Sequence, residues 1–473
     1  MRLPLDIGSL HFVGMGGIGM SAIAEILLSM GYQVQGSDMN RNANVERLVS
    51  KGAKAFIGHE ACHVEGTSVV VVSSAIKNDN PELVAARQAG IPVILRAEML
   101  AELMRLKSSI AVAGTHGKTT TTSLISAVLC AGTIDPTVIN GGIIEAFGSN
   151  ARIGQGEWLV AEADESDGSF LKLPAQVGII TNIDPEHMEH YGDFEGVKAA
   201  FKQFALQIPF YGVTLAGIDH PVVRELVDDL RSDESLTSKK ILTYGSPADA
   251  DIQLVNCIPG SGELTFDLEF SENMRGGAQT VSGFKLPMPG HYNALNAAVA
   301  VAVAHEIGVE IADIRDGLAG FSGVKRRFTH VGSVQNFDLY DDYAHHPVEI
   351  SSVLGASKSS TSGRVIAIMQ PHRYSRLQCH FEDFQACFDD ADIVVMAPVF
   401  AAGEDPLDGF DHKTLGAGVA ARGNDVRYVH HSSDLAPLLS EIAEPGDLII
   451  GLGAGSISNW MHNLPNELKE VAA

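Results

Sequence analysis

The stretch Ser109-Ile110-Ala111-Val112-Ala113-Gly114-Thr115-His116-Gly117-Lys118-Thr119-Thr120 decides how the rest of the chain is read. Its first five residues form an apolar run suited to a buried strand, and Thr121 to Leu129 reads as a helix. A glycine turn between strand and helix aims backbone N–H groups and a helix N-terminus at one point, which suits a triphosphate. Gly114, Thr115, His116, Gly117, Lys118, Thr119 and Thr120 are therefore candidate ATP-binding residues. Lys118 would bring a mobile cation to the phosphates and the Thr119 hydroxyl a ligand for Mg²⁺. Val112 stands where the usual eight-residue phosphate loop has its first glycine.

Working outward, two further strand-like runs end in chemistry. Trp158 to Ala161 leads into Glu162-Ala163-Asp164-Glu165-Ser166-Asp167, and Val177 to Thr181 leads into Asn182-Ile183-Asp184-Pro185-Glu186-His187. Ligands of open parallel sheets sit beyond the carboxyl ends of the strands, so three loops at one edge would carry a phosphate cradle, a carboxylate group and a histidine. Carboxylate and hydroxyl oxygens are the hard ligands Mg²⁺ prefers.

Toward the N-terminus, Leu10 to Val13 reads as a strand and Met20 to Met30 as an amphipathic helix. The turn between them carries Gly14, Gly16, Gly17, Ile18 and Gly19. A second strand from Tyr32 to Ser37 ends at Asp38. That order, with an acid roughly 20 residues on, suits a pyrophosphate and a ribose. The run Ser68 to Val72 ends at Ser73 and Ser74, again at the ligand edge. Beyond the centre, period-two alternation in Glu263 to Phe270 suggests an antiparallel edge or small β-layer added to a parallel sheet. Asn293 and Asn296 open an Ala-rich helix, where they could read an adenine edge or cap the helix. Four more strand candidates separated by helical stretches follow from Phe337 to Gly451, which indicates another parallel sheet. Arg373 and Arg376, i and i+3 beside His372 at a strand end, could both face a small carboxylate or a phosphate. Ser357 to Gly363 reads as a flexible loop.

Length and composition agree with this division. The 473 residues suggest about three domains, placed at 1–107, 108–321 and 322–473. The fold class is α/β: an N-terminal Rossmann-like domain, a central P-loop ATPase-like parallel sheet with an added β-layer, and a C-terminal Rossmann-like domain. A net charge of −25 argues against nonspecific binding to nucleic acid or anionic membranes. Five scattered cysteines with no C-x-x-C pair suggest reduced thiols rather than a disulfide frame or zinc site. With no long apolar stretch and no signal pattern, the expectation is a cytoplasmic protein, monomer or homodimer.

Taken together, GMGGIGMS, SSAI, AGTHGKTTTT, AEADESD, TNIDPEHM, GHYNALNA, KRRF, DDYAHHP and QPHRYSR resemble, in order and over essentially the full chain, the Mur ligases. These are ATP-dependent amide-forming enzymes of cell-wall precursor synthesis. The resemblance is strongest to the branch whose substrates are UDP-N-acetylmuramate and L-alanine. It implies that the first domain binds the UDP part through Gly14 to Gly19, with Asp38, His59 and Ser73 nearby. It implies Glu162 and His187 as magnesium ligands, Asn293 and Asn296 as adenine contacts, and Arg327 and Asp341 as further nucleotide contacts. Tyr343, His345, His372, Arg373 and Arg376 match the alanine pocket, with His345 or His372 assisting proton transfer. ATP would phosphorylate the lactyl carboxylate, and the alanine amine would displace phosphate from the acyl phosphate.

The chain departs from the common D-H-M-D of the family in carrying Glu186-His187-Met188-Glu189. Lys198 and Lys202 are the only lysines near the position of the carbamylated lysine found in several members. The L-alanine branch is not expected to need that modification. Two other readings stand beside this one. A nicotinamide-dependent oxidoreductase would explain Gly14 to Asp38 but leave the phosphate loop without purpose. The family branch that recycles murein tripeptide departs in its first glycine loop.

Overall fold

A computed structural model describes residues 7–233, 238–260 and 262–471. Three sheets organise the chain. The first has five parallel strands in the order Lys54–Ile57, Val34–Asp38, Leu10–Val13, Val69–Val72, Val93–Leu95. Its central strand is followed by the helix Ile18–Ser29, whose residues from Met20 to Leu27 are all buried. The glycine turn between strand and helix has no polar side chain; Met15 within it is buried and Gly17 is exposed.

The second sheet has ten strands. At its centre Ser108–Ala113 lies parallel to Val177–Ile180 on one side and to Trp158–Glu162 on the other. Three strands, Ile252–Pro259, Leu264–Phe270 and Gln279–Leu286, extend one edge, as the alternating pattern there suggested. At the other edge an antiparallel pair, Thr137–Ile144 with Ser149–Arg152, was not visible in the sequence pattern. The third sheet has six strands, five of them parallel and one, Thr329–Val334, antiparallel at the edge.

By internal contacts the chain forms two compact units. One holds the described residues up to Asn256 with Phe266–Phe284 and Leu295–Ser322; the other holds Gly323 onward with Lys285–Ala294 and the described part of 257–265. In the first unit a single core runs from Leu10, Phe12 and Ile23 through Leu100 and Leu103 to Ala111, Phe170 and Phe201. The first two sheets therefore share buried apolar surface, the main favourable term in holding them together. In the second unit, one core of Leu354, Val365, Met369 and Phe388 and another of Leu339, Ile366, Ile449 and Met461 pack on opposite faces of the third sheet.

One expectation is overturned. Ser357–Ser360 is no loop but the last turn of the helix Pro347–Ser360. Ser357 and Ser360 donate their hydroxyls to the carbonyls of Val353 (2.8 Å) and Ala356 (2.7 Å), four residues back. A run of serines can thus satisfy its polar groups within a helix it would otherwise disfavour.

Candidate active site

The strand Ser108–Ala113 carries Val112 inside the buried sheet, where no glycine is needed. The turn begins only at Gly114, whose φ of +133° and close approach to Thr181 exclude a side chain: a Cβ there would lie 1.9 Å from Thr181 Oγ1. Gly117 takes a left-handed φ of +83° as the residue before the helix Lys118–Ala131. The helix starts three residues earlier than its apolar pattern implied, so Lys118 and Thr119 form its first turn. Asn182 fastens the loop from the neighbouring strand. Its Oδ1 accepts from His116 N (2.7 Å), its Nδ2 donates to His116 O (3.1 Å), and its carbonyl accepts from Thr115 N (3.0 Å). Thr181 Oγ1 donates to the same His116 carbonyl at 2.7 Å.

Lys118 turns back into the loop. Its Nζ donates to the carbonyls of Gly114 (2.6 Å) and Thr115 (3.0 Å) and to Glu165 Oε1 (2.9 Å). Burial works against the ammonium, but the charges of Glu165, Glu162 and Asp164 outweigh it and hold its pKa above the ordinary lysine value. Thr119 Oγ1 donates to Glu162 Oε2 (2.8 Å), which also accepts from Gly141 N (2.8 Å). Glu162, last residue of its strand, and Glu165 in the following loop thus bracket the start of the helix.

His187 sits at a φ of +58°, an uncommon conformation for a residue with a side chain. Its Nε2 lies 3.8 Å from Glu165 Oε1 and 3.6 Å from Glu186 Oε2, and its Nδ1 lies 3.9 Å from Glu189 Oε1. The two glutamates that replace the usual aspartates therefore flank both ring nitrogens. Thr119, Glu162, Glu165 and His187 make a donor set of one hydroxyl, two carboxylates and an imidazole. Glu165 Oε2 is buried with no hydrogen-bond partner, as an oxygen meant for a cation would be. These residues fit a hard divalent metal. Lys198 and Lys202 lie apart from them, paired on the surface with Glu195 (2.9 Å) and Asp229 (2.6 Å).

Asn296 Oδ1 accepts from Thr121 Oγ1 at 3.1 Å, and a Cβ on Gly117 would come within 2.9 Å of it. This places Asn296 against the phosphate loop. Asn293 donates to Pro289 O at 2.6 Å from the third position of the helix His291–Glu306, and its buried Oδ1 has no partner. Neither residue stands before the first helical residue as a cap would.

In the first sheet the glycine turn hangs on its neighbours. The N–H groups of Gly14 and Met15 donate to Ser37 O (2.8 and 2.9 Å), and Gly16 N donates to Asp38 Oδ2 (2.9 Å). Asn42 and Asn44 both donate to Gly16 O. Ile76, two residues past Ser74, packs over Gly14, so the loop carrying Ser73 and Ser74 meets the glycine turn. His59 follows Gly58, whose N–H donates to Asp38 O at 2.9 Å. Gly14 to Gly19, Asp38, His59 and Ser73 are thereby gathered at the carboxyl edge. Arg96 was not foreseen: its guanidinium covers Gly19 and donates to Asp164 Oδ2 at 3.0 Å, joining this edge to the acidic loop of the second sheet. Only an arginine in an otherwise ordinary helix start hinted at it.

In the second unit, Tyr343 lies between two guanidinium groups, those of Arg326 (4.7 Å) and Arg327 (5.2 Å) from its ring centre. His345 packs edge-on to Tyr343 at 5.0 Å and to His372 at 6.0 Å. His372 stacks on Phe400 (5.5 Å, 11°), with Arg376 Nη1 3.5 Å from its Nδ1. Burial, then the charges of His345, Arg376 and Arg373, push His372 down to about 4. Arg373 is exposed and carries a φ of +67°. Asp341 is fully buried and accepts from Ser458 Oγ, and burial raises its pKa. Its neighbour Asp342, also buried, is pushed up to about 6 although it accepts from Phe328 N and Ala344 N, both at 2.7 Å. Phe400 gave no sign in the sequence, since it lies far along the chain from the residues it supports.

Comparison with known proteins places these features in one frame. The chain matches, in order, the models described as Mur ligase family, catalytic domain (residues 9–108), Mur ligase middle domain (112–304) and Mur ligase, glutamate ligase domain (326–455). The UDP-N-acetylmuramate–L-alanine ligase of a Bradyrhizobium species is 55% identical over 472 residues, with 100% of both chains covered. The crystal structure of a UDP-N-acetylmuramate–alanine ligase from Thermotoga maritima has a TM-score of 0.80 at 27% identity, covering 98% of this chain and 99% of that one. A murein peptide ligase from Psychrobacter arcticus has a TM-score of 0.69 at 21% identity over 98% of this chain and 100% of that one, a likeness of fold.

Proposed function

The chain belongs to the Mur ligase family, and from that premise we propose that it joins L-alanine to the lactyl carboxylate of UDP-N-acetylmuramate at the expense of ATP, in peptidoglycan precursor synthesis. The observation that carries this reading is the helix start at Lys118 and Thr119, held between Glu165 and Glu162, in a chain aligned end to end with an L-alanine ligase. A nicotinamide oxidoreductase leaves that arrangement without a task.

Residues 1–107 take the UDP part of the substrate, 108–321 the ATP, and 322–473 the amino acid. The lactyl carboxylate oxygen attacks the γ-phosphorus of ATP, the bond to the bridging oxygen breaks, and ADP leaves. Lys118 and the amides of the loop stabilise the charge that gathers there. Mg²⁺, held by Thr119, Glu162 and His187, would supply Lewis-acid stabilisation of the phosphoryl oxygens. The alanine amine then attacks the acyl carbon, and phosphate departs from the tetrahedral intermediate.

Arg373 and Arg376 bind the alanine carboxylate. The attacking amine must first lose a proton, and His345 is the better placed acceptor. Its Nδ1 faces Tyr343 O (2.9 Å) and Glu349 Oε2 (3.3 Å), which stabilise a ring that has taken a proton on Nε2. His372, disfavoured from protonation, stays uncharged beside the amine and does not compete for its proton. No helix among the described residues is long and apolar enough to cross a membrane, and all five cysteines are free, in keeping with work in the cytoplasm.

The test is phosphate release with UDP-N-acetylmuramate across a panel of amino acids. Release requires both substrates and is greatest with L-alanine. Equal release without any amino acid, or a preference for a murein tripeptide, overturns the reading.

A further inference from the structure

Beneath the glycine turn of the first sheet lies a carboxylate to which the proposed reaction gives no role. Glu82, second residue of the helix Pro81–Gln88, is completely buried. Its Oε2 accepts from Ser37 Oγ and lies 3.2 Å from His59 Nδ1 and 3.4 Å from His11 Nε2; its Oε1 lies 2.7 Å from His63 Nδ1. Three histidines and a serine thus surround one anion at the start of a helix, where the free N–H groups also favour negative charge. These contacts outweigh burial and bring Glu82 down to about 2, so it is ionised at neutral pH.

Ionisation fixes the protons around it. A carboxylate only accepts hydrogen bonds, so the single Ser37 hydroxyl proton goes to Glu82. Ser37 Oγ, 3.0 Å from His59 Nδ1, then has only lone pairs to offer. Both partners of His59 Nδ1 are acceptors, and Nδ1 must carry the hydrogen. The neutral ring keeps its lone pair on Nε2. His63 Nδ1, with Phe56 stacked on its ring at 4.1 Å, lies between Glu82 Oε1 (2.7 Å) and the backbone N–H of Glu60 (3.3 Å). Ser37 is also the residue whose carbonyl holds Gly14 N and Met15 N.

We propose that Glu82 is the positioning residue of the UDP-sugar site. It anchors Ser37, from which the glycine turn hangs, and locks His59 as the Nδ1–H tautomer, so that His59 Nε2 accepts from an N–H or O–H of the nucleoside. A carboxylate behind a histidine sets the tautomer of metal-binding histidines in the same way, and its loss there costs 10–100-fold. The inference rests on the assignment of the UDP-sugar to this domain.

The test uses full-length enzyme labelled with ¹⁵N-histidine, His59 being assigned through His59→Gln. In the wild type, long-range ¹H–¹⁵N correlations should show His59 as Nδ1–H. Glu82→Gln puts an amide donor among these groups. It should shift His59 toward Nε2–H and raise KM for UDP-N-acetylmuramate at least ~10-fold. The KM values for ATP and alanine should stay within about twofold. Wild-type His59 found as Nε2–H overturns the proposal even if the variant fails to fold, and so does an unchanged KM for the UDP-sugar in Glu82→Gln. The underlying assignment has its own check: backbone resonances of Gly14 to Gly19 should respond to the UDP-sugar. Their silence overturns the assignment and the proposal with it.

Discussion

The rings of His345 and His372 stand 6.0 Å apart at 77°, edge to face, each backed by a different kind of group. Glu349 and a backbone carbonyl lie behind His345, whereas Phe400 and two arginines surround His372. On the proposed mechanism this splits one pair of like residues into a proton acceptor and an uncharged partner, as environments divide acid and base roles elsewhere. His345→Gln should lower kcat about 100-fold or more with little change in KM for alanine. His372→Gln should act chiefly on KM for alanine. Steady-state kinetics at saturating ATP separate the two, and the reverse pattern would exchange the roles.

The depressed pKa of His372 also has a stability consequence. Its folded value of about 4 lies below the unfolded value near 6.5, so the unfolded chain binds more protons between those limits. The contribution is fully present above pH 6.5 and is lost as pH falls through 4. Because the ring is only half-buried, solvent screening leaves on the order of 1 kcal/mol. In denaturant melts wild type should therefore lose stability relative to His372→Gln as pH drops from 7 to 4. Curves that stay parallel would contradict the assignment.

Lys118→Ala should cost at least ~3 kcal/mol in the transition state, about a hundredfold in rate. Removing the ammonium also leaves Glu165 buried beside no cation, where burial already raises its pKa. The double variant Lys118→Ala/Glu165→Gln should recover thermal stability but not turnover. Phosphate-release assays and calorimetry on both proteins check this pair of outcomes.

Much of this site is written in local sequence, and what is not has a common cause. Glycine turns, a lysine–threonine helix start and strand-end acids are short-range patterns, and each strand–turn–helix order follows from apolar periodicity. Helix starts came out late, because Ile18 and Gly19 belong to the glycine run read as a turn, and Lys118 to Thr120 are too polar to enter an apolar stripe. The antiparallel pair Thr137–Ile144 and Ser149–Arg152 carries glycines and two asparagines within it and so lacked the alternation that marks a strand. Arg96, Phe400 and Glu82 escaped for another reason. Each acts on residues distant in sequence, with separations of 68 for Arg96 to Asp164 and 45 for Glu82 to Ser37. No local pattern records such pairs.

Backbone strain at Arg373 separates folding from function. A φ of +67° costs a side-chain-bearing residue roughly 1–3 kcal/mol, which glycine avoids. Arg373→Gly should therefore be about 1 kcal/mol more stable than Arg373→Ala in urea melts. Both should raise KM for alanine by similar factors while leaving those for ATP and the UDP-sugar alone. Equal stability of the two variants would mean the conformation relaxes.

Glu162 offers the most direct test of the metal reading. Its Oε2 already holds the Thr119 hydroxyl and the Gly141 amide, which leaves the lone pairs of Oε1 for a cation. Glu162→Gln keeps the shape but removes the charge and replaces one oxygen by an N–H donor. The Mg²⁺ concentration giving half-maximal rate should rise at least ~10-fold, corresponding to about 1.4 kcal/mol of lost affinity. Raising Mg²⁺ should restore part of the rate, because Thr119 and His187 remain. Glu165→Gln, which alters both the partner of Lys118 and the unpartnered Oε2, should raise the Mg²⁺ requirement less than Glu162→Gln does and reduce turnover more. If Glu165→Gln raised the Mg²⁺ requirement and Glu162→Gln did not, the unpartnered Oε2 of Glu165 would be the principal carboxylate ligand, and Glu162 would serve only to orient Thr119.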